Sequence, residues 1–163
     1  MERITLRAAT AHDARFLADM LVEAKNGGSI RHRPRVSILE DPNATRYISG
    51  WMRPGDQGSV AISDESVPVG ACWARVFPPH APGAGFVAPG VPELVLGVNT
   101  QWRAQGIGRL LLRSVIQSCS VAGYQRLSLT VNRGNFAARL YVSEGFVVVE
   151  NREEADTMVR HLR

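Results

Sequence analysis

The apolar and polar positions at the start of the chain predict a strand followed by a helix. Residues 4–8 alternate apolar and polar side chains, which is the pattern of a half-buried strand. Thr10 followed by Asp13 is an N-cap signal in front of an apolar stripe at helical spacing. Glycine is the usual residue just past a helix end, so Gly27 is predicted to end this helix.

The next segment predicts short helices and then a hairpin. The basic run of residues 31–35 leads into a short helix to about Glu40, and Asp41-Pro42 is typical of a further helix start. Residues 59–63 and 67–77 are predicted to be the two strands of a hairpin. The buried face of the helix that starts at Asp41-Pro42 is expected to carry Tyr47, Ile48 and Trp51.

Residues 78–92 interrupt this regular pattern. The segment contains five prolines and three glycines, and repeated missing N–H donors are incompatible with a strand ladder. It is therefore predicted to be a loop. Irregular loops longer than about 12–15 residues within compact domains tend to be functional or disordered.

The second half of the chain alternates strands and helices. The predicted elements are a strand at 93–99, a helix from Gly108 to Gly123, a strand at 126–131, a helix at 135–144, and a final strand pair at 146–150 and 157–162. Residues 1–163 contain no repeats and no linker, so one α/β domain accounts for every segment.

Composition narrows the class of protein. The chain has 163 residues with 45% hydrophobic and 21% charged content, and no apolar run approaches the ~20 residues that span a bilayer. No apolar signal-peptide core follows Met1, so we expect a cytoplasmic protein. The net charge of +4 comes from arginine, since Lys25 is the only lysine. Dispersed arginines explain this charge better than a nucleic-acid site, because no long basic block is present.

Residues 93–112 carry the clearest chemistry. A short apolar strand runs into a helix that starts at Gly106 and Gly108, and a glycine-flanked helix N-terminus offers unpaired backbone N–H groups to an anion. A dinucleotide fingerprint would need a small residue where Leu111 stands, and a nucleotide-triphosphate loop would need a Gly-Lys-Ser/Thr ending. Neither motif is present.

Two motifs in the correct order resemble those of the GNAT (GCN5-related) N-acetyltransferases. The first is Arg103-x-x-Gly106-x-Gly108, which resembles the family's pyrophosphate-binding signature Arg/Gln-x-x-Gly-x-Gly/Ala. The second follows one helix and one strand later and matches at Asn135, Ala138, Leu140, Tyr141, Gly145 and Phe146. The resemblance covers essentially the whole chain. It implies the GNAT α/β fold: a central mixed, mostly antiparallel twisted sheet of about six or seven strands flanked by about four helices, in the order β-α-α-β-β-β-α-β-α-β-β.

The resemblance also implies acetyl-coenzyme A as co-substrate. The strands at 93–99 and 126–131 should splay apart, so that pantetheine pairs with the free backbone of Leu96 and Val98. Asn135 would hydrogen-bond the cofactor arm, serve as a helix N-cap, or both. The pyrophosphate would meet backbone N–H groups of Arg103, Ala104, Gln105, Gly106, Ile107, Gly108 and Arg109.

The family chemistry places two catalytic candidates in this sequence. Glu93 matches the position of a base, often acting through water, that takes a proton from the acceptor amine. Tyr141 matches the family's general acid, which protonates the departing thiolate. A strand-edge carboxylate without a role and a buried core tyrosine are the respective alternatives. Thr130 stands where acetyltransferases of ribosomal-protein N-termini commonly carry glutamate, which argues against that substrate.

The acceptor is the least defined part of the prediction. In the GNAT fold the segments 26–35 and 78–92 border the acceptor side, so Arg31, Arg33 and His80 are candidates for binding an anionic primary amine on a small molecule or peptide. A solvated loop facing away from the cleft is the rival explanation. A non-catalytic acyl-coenzyme A sensor of the same fold is the alternative function. No metal, nucleic acid or membrane is expected, and a homodimer is left open.

Overall fold

The computed structural model describes residues 3–27 and 32–162. Seven strands carry the fold, and each lies within a few residues of its predicted position. Their bounds are β1 Thr5–Ala8, β2 Gln57–Ile62, β3 Pro68–Arg75, β4 Glu93–Val98, β5 Arg126–Asn132, β6 Val147–Asn151 and β7 Ala155–His161.

Five α-helices are described, one more than the approximate number implied by the family resemblance. Their bounds are α1 Ala14–Asn26, α2 Arg35–Leu39, α3 Pro42–Thr45, α4 Ile107–Val121 and α5 Ala137–Ser143. Three of them lie between β1 and β2, as the residue pattern predicted, although the order implied by the family resemblance had two. None of the helices in the described ranges is both long and apolar enough to cross a membrane.

Local capping explains where the first helices begin. Thr10 and Asp13 form a capping box, as predicted, on the short 3-10 turn Ala11–Asp13 that leads into α1, and Asp41 accepts a hydrogen bond from the Asn43 N–H at the start of α3. α3 ends at Thr45, although the sequence pattern extended it to Trp51. The buried Arg75 guanidinium donates to the carbonyl oxygens of Arg46 and Ser49, which supports a turn in place of further helix.

The strand order of the sheet is β1-β2-β3-β4-β5-β7-β6. Every neighbouring pair is antiparallel except β4 and β5, which are parallel and share the single register pair Glu93↔Ser128. β4 and β5 therefore separate immediately after Glu93. The splayed strand pair and the mixed, mostly antiparallel sheet are both confirmed.

Each face of the sheet has its own apolar core. α4 and α5 cover one face through residues such as Leu111 and Tyr141, while α1 to α3 cover the other through residues such as Leu17 and Ile38. Side chains alternate between faces along β4, so Leu94 points to the first core and Val95 to the second. A group that enters between β4 and β5 can therefore be reached from both faces.

α1 packs unusually close to β4. A Cβ on Gly97 would lie 2.4 Å from the Met20 carbonyl oxygen, so only glycine fits at this crossing. The close approach fixes the C-terminal turn of α1 against the opening in the sheet. That turn carries Lys25, the single lysine of the chain.

Candidate active site

A cavity of about 600 Å³ lies where β4 and β5 separate. Its wall combines the end of α1, the length of β4, the start of α4, the end of β5 and the start of α5. Both catalytic candidates, Glu93 and Tyr141, line it. The parallel strands hold together only at Glu93↔Ser128, and this geometry creates the opening.

The N-terminus of α4 forms one end of the cavity. Gly106 adopts φ +83°, a left-handed conformation that favours glycine, and no side chain caps the helix. The first backbone bond of the helix is donated by Leu110 to the Gly106 carbonyl, so the preceding N–H groups of Ile107, Gly108 and Arg109 have no helical acceptor. These N–H groups and the helix dipole together suit a phosphate group.

The free edge of β4 continues from this anion site. The Asn99 N–H donates to Val69 in the β3 direction, and backbone groups alternate along a strand. Leu96 and Val98 therefore turn their backbone N–H and C=O groups toward the side that β5 has left. An extended ligand can pair with this edge as an added strand. The Val98 carbonyl already receives a long contact of 3.4 Å from the Arg103 guanidinium.

Glu93 lies at the closed end of the opening. Its side chain is 2% exposed, and its Oε2 accepts a 2.5 Å hydrogen bond from the Tyr47 hydroxyl. Burial raises the pKa of the Glu93 carboxyl above its ordinary value, and the hydrogen bond from Tyr47 opposes this shift. The second oxygen, Oε1, is buried and has no hydrogen-bond partner among the described residues. A carboxylate with one oxygen held and one unpaired is arranged to accept a proton.

The third strand positions Tyr47 against Glu93. The Trp73 indole N–H donates to the Tyr47 carbonyl at 3.0 Å, and the Arg75 guanidinium holds the turn on either side of it. Arg75 is itself paired with Asp56 at 2.8 Å, and both side chains are almost completely buried. Strand β3 thus fixes the backbone that brings the Tyr47 hydroxyl to the carboxylate.

The proline-rich segment 78–92 folds over Glu93 and contains no regular element, as predicted. The Ala84 N–H donates to the Tyr47 hydroxyl at 2.9 Å. A Cβ on Gly83 would lie 2.3 Å from Glu93 Oε1, and one on Gly85 would lie 2.9 Å from the Leu129 backbone. Glycine at these two positions lets the loop close directly over the carboxylate.

Tyr141 reaches the cavity from the opposite face of the sheet. Its ring packs edge-on against Phe146 with centroids 5.8 Å apart, and the residue is 6% exposed. Burial raises the pKa of the Tyr141 hydroxyl, so the proton stays on the oxygen at neutral pH. A protonated hydroxyl in this position can donate to a group within the cavity.

Lys25 adds a positive charge beside Glu93. Its Nζ lies 4.8 Å from the centroid of the Tyr47 ring, and the side chain lines the same cavity. Burial lowers the pKa of the Lys25 ammonium, while the charges of Glu93 and Asp41 oppose that shift. No carboxylate within the described ranges forms an ion pair with it.

Comparison with known proteins relates the chain to one family. Residues 94–162 match the family model described as an acetyltransferase (GNAT) domain. The chain superposes on the PaiA N-acetyltransferase of Thermoplasma acidophilum in complex with coenzyme A, with a TM-score of 0.69, 17% identity, and coverage of 98% of this chain and 99% of that one. Residues 94–162 therefore match a GNAT acetyltransferase domain, and the described chain as a whole has the fold of GNAT structures.

Two further relatives extend the comparison. The chain superposes on yncA of Salmonella typhimurium, a structure holding acetyl-CoA, with a TM-score of 0.65, 19% identity, and coverage of 99% of this chain and 95% of that one. It is 29% identical over 120 residues to the mycothiol acetyltransferase of Nocardiopsis dassonvillei. That match takes in 72% of this chain but only 35% of the relative, so the chain corresponds to about a third of that protein.

The cavity of this chain brings together most of the residues that the sequence assigned to cofactor binding. Gln105 is exposed and does not line it. Asn135 lines the cavity while its Oδ1 accepts a hydrogen bond from the Ala137 N–H, so capping and a cavity position coexist. The other members that line the cavity are Leu96, Val98, Arg103, Ala104, Gly106, Ile107, Gly108 and Arg109.

The two acceptor candidates that the structure describes, Arg33 and His80, do not line the cavity. Arg31 lies outside the described residues. Arg33 does not line the cavity, and its guanidinium pairs with Asp41 at 3.3 Å. His80 is exposed on the loop and also lies away from the cavity wall. The acids that neutralise this region come from elsewhere in the sequence, and Asp19 likewise pairs with Arg35.

Sequence reasoning missed two residues of the site. Tyr47 was predicted only as part of a buried helix face, and Lys25 was noted only as the single lysine. The unusual presence of one lysine among many arginines was the available signal for Lys25. No local pattern marks Tyr47, because its partner Glu93 lies 46 residues away in the chain.

Proposed function

We propose that this chain is an acetyl-coenzyme A-dependent N-acetyltransferase that acts on a primary amine. The observation that supports this most directly is the arrangement of one cavity. Glu93 and Tyr141 enter it from opposite faces of the sheet, and the free N-terminus of α4 lies at its end. Other proteins of this fold have been solved with coenzyme A or acetyl-CoA.

The chain's own residues fit the co-substrate. The N–H groups of Ile107, Gly108 and Arg109 would hold the pyrophosphate, and the free edge at Leu96 and Val98 would hold pantetheine. Acetyl-coenzyme A supplies an activated acyl group on a thiol that leaves readily. This arrangement would place the acyl group between Glu93 and Tyr141.

Each catalytic group has one proton to move. An acceptor ammonium must lose a proton before its nitrogen can attack, and Glu93 takes that proton directly or through water. The nitrogen–carbon bond forms as the carbon–sulfur bond breaks, and the backbone N–H of Leu96 or Val98, which faces the opening, donates to the carbonyl oxygen. Tyr141 then gives its proton to the departing thiolate, and the second proton that the nitrogen loses as the amide forms returns to the Tyr141 oxygen through water. A free thiol has a pKa near ~8.5, so this proton helps departure without being indispensable.

A panel of primary amines tests the proposal. Release of free thiol from acetyl-coenzyme A is measured for amino acids, short peptides, aminoglycosides and polyamines, each at two salt concentrations. We expect turnover with at least one amine and loss of about 10²-fold or more in Glu93→Gln. Binding of acetyl-coenzyme A without turnover of any amine would favour the non-catalytic sensor instead.

A further inference from the structure

The acceptor end of the cavity holds two opposite charges that do not pair with each other. Lys25 and Glu93 both line this space, yet they form no ion pair, since their charged atoms are more than 4.0 Å apart. Tyr47 lies between them. Its ring face meets the Lys25 ammonium and its hydroxyl meets Glu93 Oε2.

The neighbouring cations are already engaged. Arg33 pairs with Asp41, and the Arg46 guanidinium donates to the Pro82 carbonyl and to Asn43. Lys25 differs from them because it lines the cavity, its Nζ lies over the face of the Tyr47 ring, and it forms no ion pair with any of the described residues. A partly buried ammonium without a hydrogen-bonding anion is unfavourable unless a ligand supplies one.

Glu93, in contrast, has one carboxylate oxygen that lacks a hydrogen-bond donor among the described residues. Its Oε1 is buried without a hydrogen-bond donor, and it faces the loop at Gly83. A buried carboxylate oxygen favours a ligand that brings N–H groups. A single small molecule that brings an N–H donor to Glu93 and an anion to Lys25 would therefore satisfy both groups.

We propose that Lys25 binds the carboxylate of the acceptor, and that the acceptor is an α-amino acid whose ammonium faces Glu93. This inference rests on the proposed acetyltransferase function. In this proposal the single lysine at the end of α1 binds the anionic group of the acceptor, a role that the sequence analysis had assigned to the basic run of residues 31–35. An α-amino acid carries its ammonium and its carboxylate on the same carbon atom, so both can be met from the two sides of Tyr47.

The kinetic test compares each L-α-amino acid with its own carboxamide. The carboxamide keeps the amine and the side chain but removes the negative charge that Lys25 would bind. We expect at least one amino acid to be preferred over its carboxamide by tenfold or more in kcat/KM. Lys25→Met should abolish that preference by raising KM for the amino acid, and Lys25→Arg should restore part of it. The matched control is Arg152→Met, at an exposed arginine paired with Glu150. It should leave kcat/KM unchanged for both the amino acid and the carboxamide.

A spectroscopic test is independent of turnover. Because the chain has one lysine, protein grown with 13C-lysine gives a single set of side-chain signals. We expect the Lys25 Cε signal to shift as the preferred amino acid is added in the presence of coenzyme A, and to stay unchanged with the carboxamide. A shift without turnover of any amine would retain the subsite and reject the acetyltransferase function.

Two results would overturn the subsite while leaving the enzyme intact. One is acetylation of amino acids and carboxamides with equal kcat/KM in both the natural chain and Lys25→Met. The other is transfer of an acetyl group to Lys25 itself, detected by mass spectrometry after incubation with acetyl-coenzyme A. An acetylated lysine carries no charge, so it cannot bind a carboxylate.

Discussion

Burial raises the pKa of Glu93, and the largest opposing effect is the hydrogen bond from one neighbouring hydroxyl. Burial favours the neutral acid, and the hydrogen bond from Tyr47 favours the carboxylate that a base requires. Activity that depends on Glu93 as a base should therefore fall as pH decreases through its raised pKa. This acid limb lies above the ordinary range of a glutamate.

Tyr47→Phe should move that acid limb to higher pH. The substitution removes the donor to Glu93 Oε2 and leaves burial in place, so the pKa of the carboxyl rises further. The profile of kcat/KM against pH measures the shift. Tyr124→Phe is a suitable control, because this tyrosine lies away from the cavity and contacts the Gly55 carbonyl. A Tyr47→Phe profile that coincides with the natural one would exclude Tyr47 from setting the base.

Tyr141→Phe should reduce turnover and leave coenzyme A binding intact. The substitution removes only a hydroxyl, and the ring contact with Phe146 is retained. Loss of an acid that protonates the thiolate is expected to lower kcat by roughly 10- to 1000-fold. Single-turnover kinetics and calorimetric titration with coenzyme A separate the two effects. Unchanged kcat would assign Tyr141 to core packing alone.

The start of α4 provides a prediction about a whole element. Gly108 lies in the first turn, and a Cβ there would meet only the side chains of Leu140 and Leu96 at 3.5 and 3.6 Å. The protein itself therefore accepts a small side chain at this position. A larger side chain would crowd a pyrophosphate that sits against the helix N-terminus.

Gly108→Val should weaken coenzyme A binding by at least about tenfold, which corresponds to about 1.4 kcal/mol. Gly108→Ala is the matched control. It should keep binding, since the GNAT signature accepts glycine or alanine here, and it should not lower stability, since alanine favours a helix by about 0.5–1 kcal/mol. Isothermal titration gives affinity, and urea unfolding reports the stability of each variant. Equal affinity in all three proteins would place the pyrophosphate elsewhere.

The architecture of the sheet joins two halves at one narrow contact. Strands β1 to β4 and β5 to β7 meet through the single register pair Glu93↔Ser128, and the cavity occupies the gap beyond it. A ligand that pairs with β4 and also contacts α4 and α5 would connect the halves. Its binding energy should appear as added stability of the whole fold.

Acetyl-coenzyme A should therefore raise the melting temperature. At a concentration about 100 times Kd, a ligand that binds only the folded state adds about 2.7 kcal/mol to the free energy of unfolding. ATP and NAD should add much less at equal concentration, because neither carries pantetheine to pair with Leu96 and Val98. Differential scanning fluorimetry of the protein with each of the three ligands measures the melting temperatures and so tests this order. Equal stabilisation by ATP would contradict the strand-pairing role of β4.

The sequence alone predicted the strands, most of the helix bounds and the glycine-flanked helix start that forms one end of the cavity. Periodicity marked the strands, and Gly106 and Gly108 marked the helix start after β4, because these signals depend on residues close together in the chain. The order of the two GNAT motifs then implied the splay of β4 and β5, and the single register pair confirms it. Local sequence rules were sufficient to predict a feature when its functional groups are backbone atoms of one continuous segment.

Tertiary structure decided how the end of the cavity around Glu93 is built. Tyr47 meets Glu93 only because β3 fixes the turn that carries it, and Lys25 faces the cavity only because Gly97 lets α1 approach β4 closely. Arg33 was expected at the acceptor, but its pairing with Asp41 depends on how α2 and α3 fold together. The periodicity of hydrophobic residues indicates which face of a helix or strand is buried. It does not indicate which distant polar group contacts that face, because contacts between remote segments form only when the sheet and its helices pack.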